Sequence, residues 1–346
     1  MATATAALQR VRTSSLIDLI GLALLALLLA WLLFKFFEDP TRFVNISIIG
    51  LTNGAIYGLV ALGYTLVYGI LQLINFAHGD VFALSGLIAS TMIISVFGLD
   101  TETGVFLVIV GLLGTLAVTM PAFALFNASI ERIAYKPLRN APRLAPLITA
   151  VGVSFIVQNI SLALYGVDFE SVPNFIPRTD AIRIGDIAIQ WDNIAVFLIV
   201  IPVLVTLTWF VRSTRQGKAM RAVAQDTEAS AMMGINVNRT ISVTFFLAGS
   251  LAAVAGLVYL LQFNIRYDTG FQLGLIAFTA AVLGGIGNLS GAVLGALMIG
   301  LVEAYNEGLD GTAGGDWTRS LVFGILIATL VFRPQGILGE RTPEGA

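Results

Sequence analysis

Asn75, His78 and Asp80 lie within one short stretch, residues 75–80, between two long apolar runs of the sequence. An imidazole and a carboxylate at this spacing can bind a solute, an ion or a proton. Catalysis would need more: neither a Ser or Cys nucleophile motif nor an HExxH zinc pattern accompanies the pair. Two interpretations stay open. The polar residues line a pathway, or Asp80 caps the start of the next helix.

A glycine-rich break interrupts a second apolar stretch, at Gly284, Gly285 and Gly287, followed by Asn288. The pattern is not a dinucleotide-binding fingerprint, because Ser290 stands where the last glycine of G-x-G-x-x-G is required. Glycine permits backbone dihedrals that other residues avoid, so we expect a broken helix here. Broken helices line binding sites in transporters, whereas glycines also allow tight helix packing, and both roles stay open.

Glycines four residues apart recur at two places, Gly54 with Gly58 and Gly291 with Gly295. This small-xxx-small spacing lets the backbones of two membrane helices approach closely. We therefore expect both pairs to mark helix–helix contacts.

The segment 217–234 is rich in helix-forming residues. Asp226 is expected to cap a helix, Glu228 to favour its first turn and Gly234 to end it. Two short helices would present Ala and Met side chains to a groove on a partner protein, or would lie on the bilayer surface. No P-loop is present, since Ala219 follows Gly217-Lys218 where Ser or Thr is required. The residues expected to carry docking are Arg221, Ala224, Asp226, Glu228, Ala229, Met232 and Gly234.

The composition assigns these motifs to a membrane protein. Of the 346 residues 57% are hydrophobic and 12% charged, and the mean hydropathy is +0.89, whereas soluble domains carry about 25% charged residues. A formal net charge of −2 argues against a nucleic-acid partner. The absence of cysteine excludes disulfides and thiolate metal sites, and no metal site is expected.

Apolar runs of membrane-spanning length recur along the whole chain, and strand-type alternation is not evident. Because helices satisfy their own backbone hydrogen bonds in lipid, we expect an all-α polytopic bundle of about 8–10 transmembrane helices, some broken or re-entrant. The predicted spans are 16–37, 43–71, 80–98, 104–127, 145–166, 193–212, 241–262, 272–287, 289–305 and 318–332.

Loop charges predict the orientation. The loops 131–143 and 212–239 are basic, and 166–193 and 303–316 are mainly acidic. The positive-inside rule makes the basic loops cytoplasmic, and counting spans from a cytoplasmic N-terminus also leaves the C-terminus inside. Charge does not decide whether 272–305 forms two short spans or a re-entrant hairpin, since both return the chain to one side.

Four segments together resemble the permease subunits of branched-chain amino-acid ABC importers of the LivH type. They are residues 53–69 (NGAIYGLVALGYTLVYG), 73–86 (LINFAHGDVFALSG), 221–239 (RAVAQDTEASAMMGINVNR) and 277–303 (AFTAAVLGGIGNLSGAVLGALMIGLVE). The ending RPQGILG, residues 333–339, also resembles the family's close. The likeness covers roughly residues 44–340.

The resemblance implies the fold of type II importer permeases in a prokaryotic inner membrane. It implies a second homologous permease, two cytoplasmic ATPase subunits that use ATP, an extracytoplasmic solute-binding protein, and no cofactor or catalytic residue on this chain. Residues 221–234 would be the coupling helix, and the acidic loops would face the binding protein. The substrates of such permeases include branched-chain and other neutral amino acids, urea and short amides, and no residue separates them.

The expected organisation is an N-terminal extension with an extra span over 1–42, a permease domain over 43–340 and a tail over 341–346. The run 16–37 is too long for a signal-peptide core, and Lys35 and Glu38 stand where a cleavage site would need small residues. A stand-alone channel or secondary carrier is the rival function, with Asp18 and Asp80 as its only candidate coupling carboxylates. A membrane enzyme would need an acid–base or metal cluster that the sequence lacks.

Overall fold

The computed structural model describes residues 21, 26–27, 29–72, 75–139, 141–142, 144–176 and 179–339. The predicted tail 341–346 and much of the predicted span 16–37 lie outside these residues. Within the described part of that span, residues 29–38 are helical and end at Asp39. Trp31 from this segment packs against the buried cluster formed by Ile46, Ala304 and Leu309, so the segment lies beside the main bundle.

The described residues form a helical bundle with one small hairpin of strands. The α-helices are α1 (Pro40–Leu71), α2 (Ala77–Thr91), α3 (Val105–Ile130), α4 (Leu144–Tyr165), α5 (Trp191–Ser213), α6 (Arg215–Gln225), α7 (Thr227–Met232), α8 (Val237–Gln262), α9 (Thr269–Gly284), α10 (Leu289–Gly308) and α11 (Thr318–Phe332). The strands are β1 (Asp180–Ile184) and β2 (Ile187–Gln190).

Eight helices within the described residues are long and apolar enough to cross a membrane. They are α1, α2 with its π-helical extension, α3 to α5, α8, α10 and α11 with its preceding turn. Helix α9 is apolar but has only 16 residues, about 24 Å of helix. The predicted polytopic helical bundle is confirmed.

At each end of the bundle, polar side chains join residues in or near the helix ends to loops or to other helices. At the hairpin end, Asn45 Nδ2 donates to the Asp186 carbonyl, and Arg42 pairs with Asp310 at 2.6 Å. At the basic end, Arg139 donates to Asn238, and Arg212 donates to Ser290. The basic end comprises residues 72, 75–76, 131–139, 141–142, 213–237, 285–288 and 333–339, and the hairpin end comprises 39–45, 97–104, 166–176, 179–190, 263–268 and 309–317.

Helices α1, α2 and α8 form the centre of the bundle, and α3, α4, α5 and α11 lie on its periphery with largely exposed apolar faces. Small residues bring α1 and α10 into close contact. A Cβ atom at Gly54 would lie 2.7 Å from Leu297 Cα, and one at Gly300 would lie 2.6 Å from Gly54 Cα. The expected close contact at Gly54 is confirmed, while Gly58 makes an ordinary contact with Ala296.

The strand hairpin is a feature that the sequence analysis missed, because its alternation lies in a short stretch of a loop expected to be irregular. Strands β1 and β2 pair antiparallel, and Gly185 and Asp186 form the turn between them. Gly185 has φ +63°, as the first central position of a type II′ turn requires. Asn45 Oδ1 accepts from the Ala188 amide and so ties β2 to α1.

Candidate translocation and coupling sites

Helix α2 carries the first candidate site, and small residues bury it on every side. A Cβ atom at Gly270 in α9 would lie 2.7 Å from Asp80 Cα, and one at Gly256 in α8 would lie 2.7 Å from Gly86 N. Only Ile88 and Thr91 among its residues are not buried. The polar residues at its start are therefore enclosed by protein, as a charged group at membrane depth requires.

Asp80 does not cap α2, so the capping interpretation was wrong. The helix starts at Ala77, its N-cap position is Phe76, and it has no side-chain cap. Instead Asp80 Oδ2 accepts a hydrogen bond from Ser154 in α4 at 2.5 Å, and Gln158 Nε2 lies 3.5 Å from the same hydroxyl. Asp80 Oδ1 has no hydrogen-bond partner among the described residues.

His78 and Asn75 face other elements. His78 is fully buried against Gly63 of α1, and its ring meets the Tyr64 ring edge-on with 5.0 Å between centroids. Neither ring nitrogen has a hydrogen-bond partner among the described residues. Asn75 Oδ1 accepts from the Tyr135 hydroxyl at 2.7 Å. His78 and Asp80 thus contact different helices and do not form one acid–base pair.

The break at 284–288 is a sharp turn between α9 and α10. Gly285 and Gly287 have φ values of +108° and +93°, which explains why glycine is needed there. Asn288 caps α10 by accepting from Gly291 N at 3.1 Å. Gly284 and Gly291 pack backbone to backbone, so the break serves tight packing and special dihedrals together.

The segment 333–339 docks onto this turn through its main chain. The amides of Ile337 and Leu338 donate to the carbonyls of Leu283 and Gly284, at 2.9 Å each. The Asn288 side-chain amide donates to the Leu338 carbonyl at 2.8 Å. A Cβ atom at Gly285 would lie 2.7 Å from the Cα of Gly339. This turn, for which a pathway role and a packing role were both left open by the sequence, thus holds the segment RPQGILG.

Helices α6 and α7 carry the second candidate site, and their predicted caps are confirmed. Asp226 Oδ1 accepts from Ala229 N at 2.9 Å, and Glu228 lies in the first turn. Gly234, with φ +83°, follows the C-cap residue Met233. The amides of Gly234 and Ile235 donate to the carbonyls of Ala231 and Ser230, which is a Schellman motif.

Two methionines are the large apolar side chains exposed at this site. Met232 and Met233 are 83% and 82% exposed, whereas Ala224 and Ala229 are half-buried. The Arg221 guanidinium donates to the Val211 carbonyl and so fixes α6 beneath α5. Two adjacent exposed Met side chains on a capped helix offer an adaptable apolar contact to a partner.

At the hairpin end, Arg266 organises the loop between α8 and α9. It makes a two-pronged ion pair with Asp268, at 2.7 and 2.6 Å, and its guanidinium lies over the Phe169 ring. The hydrogen bond from Arg266 lowers the pKa of Asp268 below its ordinary value. Beside it the backbones of Glu170 and Ile265 exchange two hydrogen bonds.

Acidic and metal-binding chemistry is not concentrated at any of these sites. Within the part of the chain that the structure describes, no group of three or more His, Cys, Asp or Glu side chains is positioned to hold a metal ion.

Residues 46–330 match the family model described as branched-chain amino acid transport system / permease component. The chain belongs to this family. It is 39% identical over 301 residues to the high-affinity branched-chain amino acid transport system permease protein BraD of Pseudomonas aeruginosa, covering 85% of this chain and 95% of BraD. It is 36% identical over 300 residues to LivH of Escherichia coli K12, covering 85% of this chain and 95% of LivH.

A solved structure of PsaBC from Streptococcus pneumoniae in complex with Fab is also similar, with 14% identity, 87% coverage of this chain and 95% of that one. Its TM-score of 0.42 is too low to establish a shared architecture. The family therefore rests on the sequence comparisons.

Sequence reasoning missed three residues of this permease that make buried polar contacts between its elements. Ser154 is the partner of Asp80, and Tyr135 is the partner of Asn75. Glu131 is fully buried, forms an ion pair with Arg139 and accepts from Ser242 at 2.7 Å. For Glu131 the sequence did hold a signal, since this glutamate ends an apolar run and stands eight positions before Arg139.

Proposed function

We propose that this permease is the transmembrane subunit of an ABC importer for branched-chain or other neutral amino acids. The observation that carries the proposal is the 39% identity to BraD over 95% of that protein's length. Identity spread over almost a whole relative supports a shared transport role more strongly than a match confined to one segment.

The proposed assembly contains a second homologous permease, two cytoplasmic ATPase subunits and an extracytoplasmic solute-binding protein, with lipid around the permeases. ATP is hydrolysed in the ATPase subunits, and this chain holds no cofactor. The basic end faces the cytoplasm of a prokaryotic cell, because loops rich in arginine and lysine stay on the cytoplasmic side of the membrane. With this orientation both termini of the chain are cytoplasmic.

Coupling runs through residues 221–234. The Met232–Met233 surface inserts into a groove on an ATPase subunit, and the α6 contact with the Val211 carbonyl passes the movement to α5. Alternating access then requires that the two permease states differ in affinity for the ATPases or the binding protein, since a ligand shifts an equilibrium only by its differential affinity.

Asn75, His78 and Asp80 are proposed to contribute polar groups to the cytoplasmic half of the pathway. Buried polar atoms without partners, Asp80 Oδ1 and both His78 nitrogens, support this, because such groups are costly unless a second state or a solute satisfies them. For Gly284, Gly285, Gly287 and Asn288 a pathway role stays a prediction beside the docking role described above.

The test begins with capture of the chain from native membranes and mass spectrometry of its partners. The recovered complex, reconstituted in liposomes with the binding protein, should take up labelled leucine only with ATP. Uptake of urea or a short amide in place of leucine would assign the chain to the permeases of the same family that transport those solutes. Solute flux by the chain alone, without ATP, would favour the channel or secondary-carrier alternative.

A further inference from the structure

The strand hairpin carries four isoleucines on one face. In the antiparallel register Ile182 lies opposite Ile189, and Ile184 lies opposite Ile187. Residues directly opposite each other in such a pair point to the same side of the sheet, and so do residues two apart on one strand. The other face carries Arg183 opposite Ala188.

This isoleucine face is not covered by the bundle. The side chains of Ile182 and Ile184 are 50% and 70% exposed, while Ile187 and Ile189 are half-buried. Contiguous exposed apolar surface on a folded protein usually marks a contact with a partner or a membrane.

The position of the hairpin along the membrane normal follows from helix α5. Strand β2 ends at Gln190, and α5 begins at the next residue, Trp191, with no linker. Trp191 and Trp209 are 50% and 61% exposed and about 27 Å apart along the helix axis. This spacing matches the ~30 Å hydrocarbon core, and tryptophans concentrate at its two boundaries. Trp191 therefore marks the boundary at the hairpin end.

The lipid-facing surface continues into the hairpin. Leu198, Ile201 and Val205 on α5 are 72%, 53% and 62% exposed, as expected of side chains in contact with acyl chains. The isoleucine face begins at the same boundary as Trp191, because Ile189 lies two residues before it.

We propose that the isoleucine face of the β1–β2 hairpin is a lipid-binding surface that rests in the boundary between headgroups and acyl chains of the outer bilayer leaflet. Arg183, on the opposite face, points to water and headgroup phosphates. The hairpin thus anchors the hairpin end of α1, through Asn45, at a fixed depth.

Single-cysteine labelling tests the proposal, because the native sequence contains no cysteine. The variants Ile182→Cys and Ile184→Cys place a bimane label on the isoleucine face, and Arg183→Cys is the matched control on the other face of the same strand. Each labelled chain is reconstituted in vesicles of phosphatidylcholine and phosphatidylglycerol. Quenching is then measured with a nitroxide attached to the lipid near its headgroup and, separately, with aqueous iodide.

We expect lipid-borne nitroxide to quench the labels at 182 and 184 strongly and iodide to quench them weakly, with the reverse order at 183. Equal iodide quenching at all three positions would overturn the proposal. Loss of iodide access at 182 and 184 only after a solute-binding protein is added would also overturn it, and would assign the face to that protein. All three positions are exposed, so elution on size exclusion should match that of the unlabelled chain.

Discussion

Ser154 in α4 donates a hydrogen bond to the Asp80 carboxylate in α2, with 2.5 Å between the two oxygens. Both residues are buried, at 3% and 1% exposure. The bond joins a peripheral helix to a central one. The hydroxyls of Thr91 in α2 and Tyr165 in α4 share a second hydrogen bond between the same two helices, at 2.8 Å.

Replacement of Ser154 by alanine should lower the free energy of unfolding. It leaves Asp80 without its donor, and a buried acceptor left unpaired costs about 1–3 kcal/mol; membrane proteins lie toward the lower end of this range. Ser161→Ala is the matched control, because Ser161 is as buried but donates only to Val157 of its own helix. Thermal unfolding in one detergent should show a clearly larger loss for Ser154→Ala, and equal losses would contradict the role assigned to the bond.

Asp80→Asn should abolish ATP-driven uptake while the complex still assembles. The asparagine Oδ1 can still accept from Ser154, so packing is retained, but the carboxylate is lost from the proposed pathway. Asp186→Asn is the control, because Asp186 is exposed in the hairpin turn and Asn45 binds its backbone carbonyl rather than its carboxylate, so uptake should persist. Normal uptake by the Asp80→Asn complex would remove Asp80 from the pathway.

The double variant Met232→Asp/Met233→Asp should prevent recovery of the ATPase subunits. It places two carboxylates on the exposed surface at the end of α7 and keeps both Asp226, which caps the start of the helix, and Gly234, which follows its end. Thr101→Asp, in an exposed loop of the hairpin end, adds charge away from this site and should leave recovery unchanged. Co-purification of ATPases at full yield with the methionine variant would rule out this surface as the coupling contact.

Gly285→Ala should destabilise the basic end more than Gly287→Ala does. Both glycines have positive φ, so each alanine carries backbone strain of about 1–3 kcal/mol. At Gly285 the new Cβ also overlaps Gly339, whereas nothing lies within 4 Å of a Cβ at Gly287. Hydrogen exchange at Ile337 and Leu338 should rise only in the Gly285 variant, and equal exchange in both would contradict main-chain docking of residues 333–339.

Arg266→Gln should raise the pKa of Asp268 toward its ordinary value, because the hydrogen bond that lowers it is lost. In the native chain the ion pair stabilises the loop fully at pH values above the ordinary aspartate pKa of about 3.9. This stabilisation is lost as the pH falls through the lowered pKa of Asp268. The variant should therefore show faster exchange of the Glu170 and Ile265 amides already at neutral pH. Arg183→Gln, which affects the exposed contact with Asp180, should leave these amides unchanged.

The spans and the caps could be predicted because their signals are local. The apolar runs gave most of the bundle helices to within a few residues, and Asp226 and Gly234 marked the ends of α7 by their own chemistry. The start of α2 was placed three residues late, at residue 80 instead of Ala77, because polar residues precede that position.

The long-range contacts could not be predicted from one sequence. Ser154 is 74 positions from Asp80, and no local rule pairs them. Gly285 carried a visible conformational signal, but its contact with Gly339 depends on where the segment after α11 returns. The hairpin was missed because Ile182 and Ile184 alternate over too few residues to stand out from a loop.

The packing of α1 on α10 has a consequence for biogenesis. Gly54 and Gly300 touch in the finished bundle but are 246 positions apart, so α1 enters the bilayer long before its main partner has been synthesised. At about 5–20 residues per second the delay is on the order of tens of seconds. During that time the α1 surface around Gly54 faces lipid instead of α10. Insertion factors and quality-control proteases therefore encounter this permease before its main helix–helix contact has formed.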